Sequence, residues 1–176
     1  MQRPVEGPEH LYSEVAAEYG AALERLARGY EPDADKRRDL LQEIHVGLWR
    51  SLARFDGRCS MRTWVYRVAH NIATSHVIRP KTHAPIFVAS ADLESIPDAA
   101  DGEDRLDRRR TLDRLYELIR QLRPIERQVM LLYLEEVDAA TIGEITGLSA
   151  GSVATRIHRI KQVLTRRFHA KGADHE

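Results

Sequence analysis

Residues 138–168, DAATIGEITGLSAGSVATRIHRIKQVLTRRF, decide the fold class. They read as a short helix, a tight turn and a longer basic helix. Ile142 and Ile145 form the apolar stripe of the first helix, and Gly147 stands where that helix must stop, because glycine takes the left-handed conformation without Cβ strain. Leu148 can plug the corner, and Ser149 is a good N-cap for the second helix. Val153, Ile157, Ile160 and Leu164 recur at three- and four-residue steps, which predicts one buried face. The other faces carry Ser152, Thr155, Arg156, His158, Arg159 and Lys161. From Gly147 to Lys171 there are six Lys/Arg and no Asp or Glu. An ordinary helical hairpin shares the periodicity, but a second helix that is polar and cationic at its exposed start suits a DNA major groove.

Charge is segregated along the chain. The 27 Lys+Arg balance the 27 Asp+Glu overall. Yet Arg54 to Lys81 carries six basic residues and one acidic, while Asp92 to Asp107 carries seven acidic and one basic. Such placement is an argument about partners. No run of 18 apolar residues suggests a membrane span, and MQRPVEGPEH lacks the apolar stretch of a signal peptide. Cys59 is the only cysteine, so an internal disulfide is excluded and a reducing cytoplasm is the expected setting. That cysteine and the eight scattered histidines give no metal-ligand spacing. No metal, cofactor or catalytic residue is expected.

The rest of the pattern is helical. Leu11, Val15, Tyr19, Leu23 and Leu26 make a first stripe, closed by Gly29 and Pro32. Leu41, Ile44, Leu48 and Leu52 make a second, with Phe55 just past its end and Asp56-Gly57 as a turn. Ser60 can cap a third helix running from Met61 to about Arg79, with Trp64, Val65, Val68, Ala69 and Ile72 on its apolar side. Residues 81–107 read as a flexible acidic linker, with Ile86 to Ala89 as its one apolar patch. Periodicity resumes near Arg108 with Leu112, Leu115, Ile119 and Leu122, and Pro124 suits the first turn of a further helix. The expected architecture is all-α: two small helical domains, 1–80 and 108–176, joined by the linker 81–107.

The third helix and the turn before it interleave Arg58, Arg62, Arg67 and Arg79 with Phe55, Trp64 and Tyr66. Cations track a phosphate backbone and rings stack on unpaired bases, a mixture that suits single-stranded nucleic acid. Trp64 also lies on the apolar stripe, so a core role competes for it.

With these motifs in this order, the chain resembles the extracytoplasmic-function (group 4) sigma factors, the smallest of the sigma-70 class. The resemblance rests on Asp39-Leu40-Leu41-Gln42-Glu43 with Gly47-Leu48-Trp49-Arg50, on Arg54 to Arg58 with Ser60 to Asn71, and on Leu122-Arg123-Pro124 with Glu126-Arg127 and the helix-turn-helix. It covers roughly residues 10–80 and 108–169. It implies a promoter-specificity subunit that binds core RNA polymerase, recognises −10 and −35 elements and helps open the duplex, performing no chemistry itself. Asp39, Gln42, Glu43, His45 and Trp49 would bind polymerase. Phe55, Arg58, Arg62, Arg67, Asn71 and Arg79 would contact the −10 element. Asn71 has a competing reading as a buried helix–helix hydrogen-bonder. Ser149, Ser152, Thr155, Arg156 and Arg159 would contact the −35 element. The implied partners are core RNA polymerase, promoter DNA and an anti-sigma factor, with no membrane insertion of this chain. The sequence departs from the common pattern in three places: Ala154 in place of Lys, His70 in place of Arg, and Thr74-Ser75-His76 in place of an Asp-x-x-Arg motif. The alternatives are a duplex-binding regulator with an N-terminal sensor or dimerisation domain, and a nuclease. The arginine–aromatic segment disfavours the first, and the only dense carboxylate cluster falls in the linker, which disfavours the second.

Overall fold

The computed structural model describes residues 8–78 and 102–170. Arg79 and the patch Ile86 to Ala89 lie outside them. Seven helices follow in order: α1 Pro8–Tyr30, α2 Ala34–Leu52, α3 Met61–Ile78, α4 Gly102–Arg120, α5 Pro124–Leu134, α6 Ala139–Thr146 and α7 Ala150–Ala170. The all-α expectation holds, with no strand among the described residues.

Local chemistry sets the helix ends. The Asp33 carboxylate accepts from the backbone N–H of Asp35 and Lys36 at 3.1 and 3.0 Å and opens α2. Asp138 does the same for α6 through Ala140 and Thr141, both at 3.0 Å. Ser60 Oγ accepts from Thr63 N–H at 3.0 Å at the head of α3. Helix α4 begins at Gly102, inside the stretch read as linker. Its first turns carry charged residues and no apolar stripe, which is why periodicity alone starts it late.

Helices α1, α2 and α3 form one bundle, and α4 to α7 form another that contains the helix-turn-helix. The α2 core residues are Leu40, Ile44, Leu48 and Leu52. Leu41, read as a stripe residue, is only half-buried. Leu112, assigned to the α4 stripe, is 47% exposed. Two adjacent leucines leave the phase of a stripe ambiguous by one position, and tertiary packing settles it.

The turn between α6 and α7 follows the sequence reading. Gly147 has φ +77° and its N–H reaches the Gly143 carbonyl at 2.8 Å. Gly143 is also needed, for a different reason: a Cβ there would lie 2.6 Å from the Leu148 carbonyl oxygen. Neither backbone can yield without reopening the turn. Replacing Gly143 by Ala is therefore expected to destabilise the α6–α7 unit by about 1–3 kcal/mol, the usual range for overpacking. Urea denaturation followed by circular dichroism checks this, and an unchanged midpoint would remove the close approach from the account.

The two bundles do not stand apart. Leu131 of α5 packs on Gly29 of α1, where a Cβ would sit 2.5 Å from its Cδ2. Two cations cap rings across the same junction: the Arg127 guanidinium lies 5.5 Å from the Tyr30 ring centre, and that of Arg28 lies 5.1 Å from the Tyr116 ring centre. Helix α3 packs on α6 and α5 as well as on α1 and α2. The buried side chains form one continuous core across both bundles.

Candidate nucleic-acid and polymerase interface

Helix α2 presents a stripe to solvent at three- and four-residue steps: Asp39, Gln42, Val46 and Trp49. Asp39 and Gln42 are exposed, Val46 is 39% exposed and Trp49 49%. A half-exposed tryptophan beside an exposed valine is the composition of an interface rather than of a solvated face. Sequence reading passed over Val46, although its step from Gln42 and Trp49 places it on that stripe. Glu43 and His45 flank the stripe and turn inward. Glu43 lies 3.7 Å from His76 Nδ1. His45 Nδ1 shares a hydrogen bond of 3.0 Å with the Tyr12 hydroxyl of α1, and burial lowers its pKa.

The turn before α3 and the helix itself carry the −10 candidates. Phe55 and Trp64 meet edge to face at 5.5 Å, and Trp64 Nε1 donates to Ser51 Oγ at 3.2 Å. Both rings are half-buried. Arg58 is almost fully exposed and pairs with Asp56 at 3.1 Å. Asn71 is exposed, so its reading as a buried helix–helix hydrogen-bonder is set aside. Arg62 and Arg67 reach across to the second bundle and donate to the carbonyls of Glu135 at 2.6 Å and Glu144 at 3.0 Å.

The buried side of α3 differs from the predicted stripe. Thr63, Val65, Tyr66, Ala69, His70 and Ala73 are buried, while Trp64, Val68 and Ile72 are half-buried. The reason is that α3 lies between two partners. His70 is 1% exposed, its Nδ1 shares a 2.8 Å hydrogen bond with Tyr30, and its Nε2 has no protein partner. Burial drives its pKa down to about 3, so the ring is neutral. A neutral ring cannot serve as a cation toward a phosphate. It lines a cavity of about 10 Å³ between α1, α3, α4 and α5, too small for an organic ligand.

On α7, Ser149 Oγ accepts from Ser152 N–H at 3.2 Å, and the two hydroxyls lie 2.9 Å apart. Thr155 Oγ1 donates to the Gly151 carbonyl at 3.0 Å. Arg159 donates to the buried Glu126 at 2.6 Å, a partner on α5 that local sequence does not reveal. Arg156 is half-buried beside Ile157. Ser152, Thr155 and Arg159 are exposed on the same helix. No cluster of three or more His, Cys, Asp or Glu that could hold a metal ion exists among the described residues.

Comparison with known proteins fits this geometry. Residues 15–81 match the family model "Sigma-70 region 2" and residues 112–164 match "Sigma-70, region 4". The chain is similar to the ECF RNA polymerase sigma factor SigW of Bacillus subtilis, 24% identical over 92% of this chain and 91% of the relative. It is 26% identical to the RNA polymerase sigma factor CarQ of Myxococcus xanthus, over 90% of each. It is 23% identical to the ECF RNA polymerase sigma-E factor of Escherichia coli K12, over 93% and 90%. Among solved structures it resembles CnrH in complex with the cytosolic domain of CnrY, with a TM-score of 0.67 at 20% identity, covering 92% and 90%. A two-region, helix-turn-helix protein with these matches defines the class, a promoter-recognising transcription initiation factor and not an enzyme. The chain belongs to the sigma-70 family, as an ECF-type sigma factor.

Proposed function

We propose a division of labour within this sigma factor. The exposed face of α2, with Asp39, Gln42, Val46 and Trp49 at its centre and Glu43 and His45 at its edge, docks on core RNA polymerase. Phe55, Arg58, Arg62, Arg67 and Asn71 hold the opened −10 strand, and Arg79 extends that set beyond the described residues. Extruding a −10 base costs a few kcal/mol of stacking, so the turn before α3 has to return contacts to the base. Ser149, Ser152, Thr155, Arg156 and Arg159 on α7 read or clamp the −35 duplex. Residues 1–80 and 108–176 act as the two functional units, with 81–107 between them. The protein works in the cytoplasm, where core polymerase and promoter DNA are its partners. An anti-sigma factor is a third, by analogy with the CnrH–CnrY complex. No helix among the described residues is long and apolar enough to cross a membrane.

The observation that carries this reading is the order of surfaces along the chain. An interface-like stripe on α2 precedes an arginine–aromatic helix, and a capped helix-turn-helix with a cationic second helix closes the sequence. The test is transcription in vitro by core polymerase on a promoter library, with and without this chain. New start sites dependent on the chain are expected, and their absence would overturn the reading.

Within that assay, Arg156→Ala is expected to lower −35-dependent transcription while leaving polymerase binding intact. Removing a bidentate guanine hydrogen-bond pair there corresponds to about 1–3 kcal/mol of discrimination, whereas removing a phosphate contact weakens all sequences alike. Ser152 and Thr155 variants should shift sequence preference more than overall affinity. Full-rate transcription by the Arg156 variant across a range of salt would exclude Arg156 from the −35 contact.

A further inference from the structure

We propose that Glu126 is a positioning residue for −35 recognition, which holds Arg159 fixed for a base edge, and that Arg123, the second cation on the same carboxylate, contacts a backbone phosphate beside it. This deepens the sigma-factor reading and rests on it for the identity of the DNA element. Glu126 stands in the first turn of α5 and Arg123 at its N-cap, so two helices build the site rather than α7 alone.

A glutamate is rarely withdrawn from water unless it is paired. The Glu126 side chain is only 12% exposed, and each of its two oxygens faces a cation. Arg159 Nη2 donates to one oxygen at 2.6 Å, and Arg123 Nε lies 3.8 Å from the other. The two arginines are held differently. A short charge-assisted hydrogen bond orients the Arg159 guanidinium. Its side chain is nevertheless 56% exposed, so the N–H groups not spent on Glu126 face solvent. The Arg123 side chain is 80% exposed and loosely paired, a geometry in which a surface ion pair contributes little and leaves the cation mobile.

That difference assigns the roles. Reading a guanine edge takes two N–H groups of one guanidinium held in a fixed plane. A side chain already ordered in the free protein also loses less freedom on binding. Arg159 meets both conditions. It closes the row Ser152, Arg156 and Arg159, which recurs at four- and three-residue steps along one face of α7. A phosphate contact carries no sequence information, and a mobile cation can make it. Arg123 is such a cation, and the shared carboxylate places it beside the row although another helix supplies it. Glu126 itself repels DNA, so a site built for affinity alone would not contain it. The competing role, a mere tie between α5 and α7, predicts a different outcome on mutation.

The test uses core polymerase reconstituted with the full chain, limiting over template. The templates are a promoter that the parent holoenzyme initiates and derivatives with each −35 base pair changed in turn, transcribed at several salt concentrations. Removing the Glu126 charge should, by charge alone, strengthen initiation on every template. Positioning predicts otherwise: Glu126→Gln should lower discrimination about five- to tenfold at the one or two base pairs that Arg159 reads, with preference elsewhere kept. In an Arg159→Ala background the same change should shift preference no further. Arg123→Gln should lower initiation about two- to fivefold on all templates alike and reduce the logarithmic salt slope by about one. Circular dichroism verifies that each variant keeps its helices. Undiminished discrimination in Glu126→Gln, an equal fall on every template, or lost helical content would overturn the positioning role. Parental initiation by Arg123→Gln, or an altered base preference, would overturn the phosphate contact. A parent chain that supports no initiation at all would overturn the sigma-factor reading and this assignment with it, an outcome read from the parent alone.

Discussion

Replacing Gln42 and Trp49 together by alanine is expected to weaken binding to core RNA polymerase by about 2–4 kcal/mol, roughly 30- to 1,000-fold, with helical content unchanged. The size of the effect follows from the residue types. A tryptophan 49% exposed in the free chain offers a large rigid surface to bury, and Gln42 offers hydrogen bonds on the same face. Neither side chain belongs to the core, which α2 builds from Leu40, Ile44, Leu48 and Leu52. Weakened binding would therefore not reflect unfolding. Val46→Ser, on the same stripe, should cost less but point the same way. The measurement is a titration of labelled core polymerase with each purified variant. Parental affinity in a folded double variant would remove this face from the interface.

Much of this architecture is legible in the sequence because it is locally encoded. Asp33, Ser60, Asp138 and Ser149 each precede a helix and bond to its first free N–H groups, as short polar side chains at such positions do. Gly147 marks the helix-turn-helix corner by the one backbone conformation that favours glycine. The order of the seven helices among the described residues follows from caps, stops and stripes, the start of α4 excepted. What is not legible is the contact between the bundles. Thr63, Tyr66 and His70 look like members of a polar face when α3 is read alone, since an apolar-periodicity argument finds one stripe and α3 has two buried sides. Arg62 and Arg67 look free for the same reason. Their partners are carbonyls of Glu135 and Glu144, and a backbone oxygen leaves no trace in a pattern of side chains. The Glu126–Arg159 pair is similar, because it joins residues 33 positions apart and no local pattern announces it.

His70 makes that hidden contact measurable through pH. Its imidazole is fully buried with a folded-state pKa of about 3, against about 6.5 when unfolded. Between those values the unfolded chain binds a proton that the folded chain refuses, so stability rises with pH across that window and falls on acidification. From pH 7.5 to 5 the loss is about 2 kcal/mol, and it approaches about 5 kcal/mol only below pH 3. Paired carboxylates act lower. The caps Asp33 and Asp138 have pKa values below the ordinary range, held down by the N–H groups of α2 and by the hydroxyl and N–H of Thr141, so both stay ionised down to pH 5. His45 has the same sign as His70 but is half-buried and contributes less. Urea denaturation of the parent chain and of His70→Gln, at pH 7.5, 6 and 5, separates the contributions. The parent should show that loss of about 2 kcal/mol by pH 5. The variant, which keeps a hydrogen-bonding group for Tyr30 but cannot titrate, should stay nearly level. An equal slope in both chains would show that His70 is not the group that senses acid. A level parent would mean that the α3 face against the second bundle is open to water, and the packing that brings Arg62 and Arg67 to the Glu135 and Glu144 carbonyls would fall with it.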